Sequence, residues 1–171
     1  MASLAPALET QSALVLIDTL RACTHDVFGK MVGTELTDGA PIDGAALRVR
    51  SHVVGQIGFG GSRSGVVVFH ATLAGAGLIT RTLLGMLEPT EPSTPEIADA
   101  IGEITNMIAG SFRTRVATAG DAWAISIPTV TIGSDFFMTS LTNGRSTMLP
   151  FYMGTHELFV ELIITTRASR S

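Results

Sequence analysis

The stretch IADAIGEITNMIAG, Ile97 to Gly110, decides how the rest of the chain is read. At ~100° per residue, a helix over it sets Asp99 at ~0°, Glu103 at ~40° and Asn106 at ~−20°, one polar stripe. Ile97, Ile101, Ile104 and Ile108 fall between roughly 140° and 200° on the same wheel, so the core face is the opposite one. A solvated outside is the ordinary meaning of such a stripe. Two residues point further. Gly102 costs ~1 kcal/mol relative to alanine in a helix and flanks the stripe where a side chain would obstruct an approaching backbone. Asn106 is a mediocre helix former where Glu, Lys or Gln would serve solubility better. Both favour a contact surface without naming a reaction.

The stretch also has a counterpart in the chain. Under LIDTLRACTHDVFG, Leu16 to Gly29, Ile17 falls opposite Ala98, Asp18 opposite Asp99, Leu20 opposite Ile101 and Gly29 opposite Gly110. GGSRSGVVVF and YMGTHELFVEL correspond more loosely as a turn followed by a strand. A single domain over 1–171 is expected, a degenerate duplication with halves at about 7–88 and 93–168. In this register Ala22 stands opposite Glu103 and His25 opposite Asn106, so the polar pair survives only in the second copy.

Working outward, apolar residues at helical intervals from about Ala7 to Val32, Leu14, Ile17, Leu20, Val27 and Phe28 among them, predict a first helix ending near Gly29 and Gly33. ALRVRSHVVGQIGFGG and SRSGVVVFHAT read as two strands joined by a Gly/Ser turn. LAGAGLITRTLLGM, with Leu73, Leu78, Ile79, Leu83 and Leu84, predicts a second helix before the linker EPTEPSTP. Ser93 or Thr94 can cap the helix starting at Pro95, with Glu96 placed as in a capping box, and this third helix should run to about Arg113. RVATAG, AWAISIPTVTIG, FFMTSLTN and MLPFYMGTHELFVELIITT then form a strand-rich tail.

Composition bounds the function. The chain has 171 residues, 46% apolar and 15% charged, a folding composition with enough length for one real core. A formal charge of −4 with no Lys/Arg cluster offers no footprint for nucleic acid. The single cysteine, Cys23, makes no internal disulfide, reads as a small buried hydrophobe, and fits the cytosol. No zinc spacing occurs, so no metal site is expected. The N-terminus lacks a signal-peptide pattern and no run approaches the ~20 apolar residues of a membrane span, so a cytoplasmic, membrane-free protein is expected. GFGGSRSG lacks the Gly-Lys-Ser/Thr ending of a phosphate loop, precedes a strand and fails the nucleophile-elbow pattern, which leaves a hairpin turn. His25, His52, His70 and His156 are scattered and read as structural; Trp123 and Phe151 read as core.

DAIGEITNMIAG, followed by ISIPTVTIG and preceded by VVGQIGFGGSRSGVVVF, resembles the CheX branch of the CheC/CheX/FliY chemotaxis phosphatases, over nearly the whole chain. Asp99, Glu103 and Asn106 stand at that family's spacing, and Pro128 falls where its proline is expected, within about a residue. CheC-type members carry two copies of the motif; Ala22 and His25 in the first helix point to CheX and to one site per chain. The resemblance implies an α+β fold, a mostly antiparallel sheet covered by helices with pseudo-twofold halves. It also implies hydrolysis of the aspartyl phosphate on a CheY-like response-regulator receiver, in chemotaxis or another two-component pathway. Asn106 would orient the water and Glu103 would pair with the receiver's lysine, with Asp99, Gly102 and Pro128 at the contact surface. No cofactor of its own is implied, since Mg2+ belongs to the receiver, and a homodimer joined at edge strands is. A receiver-binding or assembly module of the same fold, without catalysis, is the alternative.

Overall fold

A computed structural model describes residues 5–43, 51–61, 63–117, 123–136 and 144–165. Helix α1 spans Ala5–Val27 and passes into a wider π-type turn, Phe28–Val32, closed by Gly33 in the left-handed region at φ 66°. Leu16, Leu20, Cys23, Thr24 and Val27 form its buried stripe. Leu14, predicted for that stripe, is 56% exposed, because it sits ~120° round the helix from Leu20. Two short strands follow, β1 (Thr37–Asp38) and β2 (Ile42–Asp43), which the sequence reading did not anticipate. β3 (Ser51–Gly60) and β4 (Ser64–Ala71) form the predicted hairpin.

Helix α2, Leu73–Leu84, is capped by the Thr72 hydroxyl accepting from the Gly75 amide, and ends at Gly85 with φ 61°. Arg81 then ties the connecting segment down through Glu88 and Glu91. α3, Thr94–Val116, is the central element. It runs past the predicted Arg113, so Arg115 and Val116 are helical rather than part of a strand. β5 (Ala124–Ile125) and β6 (Thr129–Phe136) follow, then β7 (Gly144–Met153) and β8 (His156–Thr165). The last predicted strand stretch is therefore a hairpin turning at Gly154, whose φ is 60°. The start of ALRVRS, the end of RVATAG and most of FFMTSLTN lie outside the described residues.

Every pairing among the described strands is antiparallel, in the order β1-β7-β8-β4-β3-β5, with β2 also on β7 and β6 also on β3. Exchanging β1 and β2 for β5 and β6, β3 for β7 and β4 for β8 reproduces this order read from the other end. The helices cover one face, where Val53, Ile57, Val67, Phe69, Leu149 and Val160 join Ile101, Ile104 and Ile108 in the main core. Trp123 stacks on Phe59 at 5.3 Å between ring centres, and Phe151 is fully buried, both as expected of core residues. The other face holds a smaller cluster of Val54, Val68 and Ile163. Beside it His70 meets the Glu161 carboxylate at 3.2 Å, and Ser146 donates to its other oxygen.

α3 lies against β3 at one close approach. A side chain at Gly55 would overlap the Thr105 hydroxyl and stand 3.1 Å from Thr105 Cβ and 3.3 Å from Ile101 Cγ2. Thr105 has no room to yield, since it is fully buried and its hydroxyl donates to the Ile101 carbonyl at 2.6 Å. At the C-terminal ends Arg115 of α3 pairs with Asp26 of α1, and that guanidinium holds the Asp26 carboxyl below its usual pKa. Gly55→Ala is therefore expected to lower stability by about 1–3 kcal/mol, read from the urea midpoint. Adding Thr105→Ala, which removes the obstructing hydroxyl, should return part of that loss, a coupling visible in the double-mutant cycle.

Candidate functional site

The site begins with how α3 starts. Ser93 is its N-cap: the hydroxyl accepts from the Glu96 amide, and the Glu96 carboxylate accepts from the Ser93 amide at 2.7 Å, a complete capping box. The Ser93 hydrogen bonds also hold the Glu96 carboxyl below its usual pKa. With the start set, the apolar face sets the rotation. Ile101, Ile104 and Ile108 are fully buried and Ile97 nearly so, which turns Asp99 and Glu103 into solvent and leaves Asn106 half-buried. Among the described residues, no side-chain hydrogen bond or ion pair engages Asp99, Glu103 or Asn106.

Gly102 has neighbours that its sequence position does not suggest. It is buried, and a side chain there would meet Val130 Cγ2 at 3.5 Å and Pro128 Cγ at 3.9 Å. This chain's own β6 edge thus lies at ordinary van der Waals distance from where a side chain at Gly102 would stand. Pro128 is thereby brought next to the polar stripe, and it is itself exposed. The segment before it is pinned: the Ser126 amide donates to Gly58 O at 2.9 Å and the Gly58 amide donates to Ser126 Oγ at 3.0 Å. Sequence reasoning passed over Ser126. The only signal for it was a serine two residues ahead of a proline, which is too common to single out.

The chemistry available is that of positioning. Thr105, the one hydroxyl between Glu103 and Asn106, is buried and already donates to Ile101, so it offers no nucleophile. Asn106 offers a donor and an acceptor that carry no charge at any working pH, and Glu103 offers an acceptor for a cation. Such a pair can orient a small polar reactant and fix a docking register.

The first half repeats the frame with its polar positions engaged within the chain. Thr24, in register with Thr105, is also fully buried and donates to the carbonyl four residues back, at 2.9 Å. Leu20, Cys23 and Val27 are buried like Ile101, Ile104 and Ile108. At the position of Asn106, however, His25 is engaged: its Nε2 contacts Asp38 Oδ1 at 2.7 Å and its ring meets Phe151 edge-on at 5.6 Å. Arg21 holds the other Asp38 oxygen at 2.9 Å. The half-site is closed by its own side chains.

A family model described as chemotaxis phosphatase CheX matches residues 53–152. This chain belongs to the CheX family. The matched span contains β4, α3 and β6 and most of β3 and β7, including Asp99, Glu103, Asn106 and Pro128. A search of curated proteins gives no match. Among solved structures, a CheX from Desulfovibrio desulfuricans is 23% identical, covering 87% of this chain and 98% of the other with a TM-score of 0.79. CheX from Vibrio vulnificus is 25% identical, with 87% and 98% covered and a TM-score of 0.78. A CheX-CheY-BeF3-Mg+2 complex from Borrelia burgdorferi is 20% identical, with 88% and 97% covered and a TM-score of 0.75. The fold is thus that of the CheX and CheC-like proteins, mixed α/β with an antiparallel sheet and three helices. No helix among the described residues is long and apolar enough to cross a membrane.

The closed half-site makes a prediction about acid stability. Burial pushes the Asp38 carboxyl up, but the hydrogen bonds from His25 and Arg21 and their charge outweigh it and hold the pKa below 3.8. A carboxylate depressed on folding stabilises the fold above its unfolded pKa, and that stabilisation is lost as pH falls through the folded value. Asp38→Asn should therefore lower stability at pH 7 and flatten the acid limb below about pH 4 in urea titrations.

Proposed function

We propose that this CheX-family chain hydrolyses the aspartyl phosphate of a CheY-like receiver domain in chemotaxis or another two-component pathway, with Asn106 and Glu103 carrying the reaction. The observation behind the reading is the unengaged Glu103–Asn106 pair, held on a capped and buried helix, in a family named for phosphatase activity. An acyl phosphate has a good leaving group, so the phosphatase's work is to hold a water in line. Asn106 enters beside the phosphoryl group and orients that water through its carboxamide. The water oxygen bonds to phosphorus as the bond to the aspartate oxygen breaks, releasing inorganic phosphate and restoring the receiver's carboxylate. Glu103, one turn away, accepts from the receiver's lysine and fixes the register.

Asp99 and Gly102 are peripheral positions of the contact surface, and Pro128 shapes the start of β6. The receiver supplies the Mg2+, and this chain adds no cofactor of its own. The Borrelia burgdorferi CheX structure, a complex with CheY, BeF3 and Mg+2, supports a receiver of this type as the partner. The cytoplasm is the compartment such a partner implies. We also propose a homodimer. Among the described strands β6 pairs only with β3, which leaves an outer edge for a second copy. The palindromic strand order and the matching burial of Thr24 and Thr105 support descent of the halves 7–88 and 93–168 from a duplication within one domain.

The decay of a phosphorylated receiver, followed with wild type, Glu103→Ala and Asn106→Ala, tests the reading. Wild type should accelerate decay. Asn106→Ala should lose about 3 kcal/mol of transition-state stabilisation, roughly a hundredfold in kcat, with folding stability changed by no more than about 0.5 kcal/mol. Glu103→Ala should act mainly on KM. No acceleration by wild type, with tight receiver binding retained, would make the chain a receiver-binding or assembly module instead.

A further inference from the structure

We propose that Ile127 is an apolar anchor that seats the receiver domain against α3; the proposal rests on the receiver reading above and names a further residue of that docking surface. Ile125 pairs with Phe59 and Thr129 with Gln56, so Ser126, Ile127 and Pro128 span the same distance as Ile57 and Gly58. One residue is extra, a β-bulge between β5 and β6. Bulges beside sites re-aim a side chain, and Ile127, within this bulged stretch, is 84% exposed.

A lone exposed isoleucine is ordinary on a protein surface. Its setting is not. The Ser126 hydroxyl donates to the Ile127 carbonyl at 2.9 Å while Ser126 itself is bonded to both backbone groups of Gly58. Pro128 restricts the backbone of the residue before it to extended conformations. Ile127 is thus held out by a fixed frame, with little conformational entropy left to lose on docking. The frame also sits against the polar stripe, because Pro128 is the neighbour of Gly102, which precedes Glu103 and lies one turn before Asn106. A standard interface covers about 800 Å² on each partner, a disc of roughly 16 Å radius. A receiver interface of that size centred on Asn106 reaches Ile127, the residue before Pro128. Glu103 and Asn106 supply direction and chemistry, and a branched apolar side chain supplies the apolar burial that a carboxylate and a carboxamide cannot.

The test compares wild type, Ile127→Ser, Asn106→Ala and Leu87→Ser. Leu87 is 82% exposed but precedes the α3 N-cap, from which Asn106 is about 20 Å along the helix. Turnover is measured on phosphorylated receiver, and Kd on receiver loaded with beryllium fluoride and Mg2+; oligomeric state and melting temperature are measured for all four proteins. Ile127→Ser should raise KM and Kd about tenfold, with kcat within about twofold and melting unchanged. Asn106→Ala should lower kcat with Kd retained, and Leu87→Ser should match wild type. An unchanged Kd in Ile127→Ser overturns the anchor, and a changed oligomeric state with unchanged Kd would reassign the residue to a contact between copies. If wild type binds receiver without accelerating decay, the phosphatase reading fails while Kd still decides on Ile127. If wild type binds no receiver, both fail.

Discussion

The close approach of α3 to β3 at Gly55 and Thr105 is the constraint on which the rest of the structure depends. With no Cβ at Gly55, the helix settles until the Thr105 side chain fills the space and Ile101 packs on the sheet. That depth determines how much of α3 is covered. Ile101, Ile104, Thr105 and Ile108 go fully under, and Gly102 lies beside the β6 edge, where an added Cβ would stand 3.5 Å from Val130 and 3.9 Å from Pro128. Seating the helix higher would open the core and also lift Glu103 and Asn106 away from the segment that flanks them.

A second consequence is rigidity where chemistry by positioning needs it. The proposed water-orienting role of Asn106 would need its atoms held to a fraction of an ångström, and hydrophobic burial on the far side of the same helix supplies that support. The capping box at Ser93 and Glu96 stops the helix start from fraying, and the Arg115–Asp26 pair ties its end to α1. Between these points the polar stripe is carried on a well-supported element with its donors and acceptors unspent. The first half shows the contrast. The same buried template, Leu20, Cys23, Thr24 and Val27, holds α1 equally well, but His25 spends its hydrogen bond on Asp38 and its ring on Phe151. A repeated frame therefore supports one open site and one closed one.

Much of this was legible along the chain because it is written in short-range periodicity. The apolar spacing of Ile97, Ile101, Ile104 and Ile108 determined which side of α3 is core, and Ser93 with Glu96 determined where it begins. The Gly/Ser punctuation of GFGGSRSG determined the first hairpin, and the resemblance carried by Asp99, Glu103, Asn106 and Pro128 led to the family that residues 53–152 match. Leu14 and RVATAG were misread for a related reason: at the end of an element, hydrophobicity or β-branching is a local average, and it does not say which side of the helix a residue occupies or which turn is the last.

Tertiary structure alone decided what depends on residues far apart in the chain. A side chain at Gly102 would stand at ordinary van der Waals distance from Val130 and Pro128, a neighbourhood that exists only because folding brings β6 across α3. His25 looked partnerless until β1 delivered Asp38. Strands β1 and β2 are too short to leave a pattern, and the bulge that exposes Ile127 exists only as a mismatch between two paired strands. The sequence by itself thus determined the helices, their faces and the identity of the polar pair, because those follow from backbone geometry over a few residues. The depth of α3, the closure of the first half-site and the surroundings of Asn106 were decided by packing between distant segments, a pairing that no local periodicity encodes.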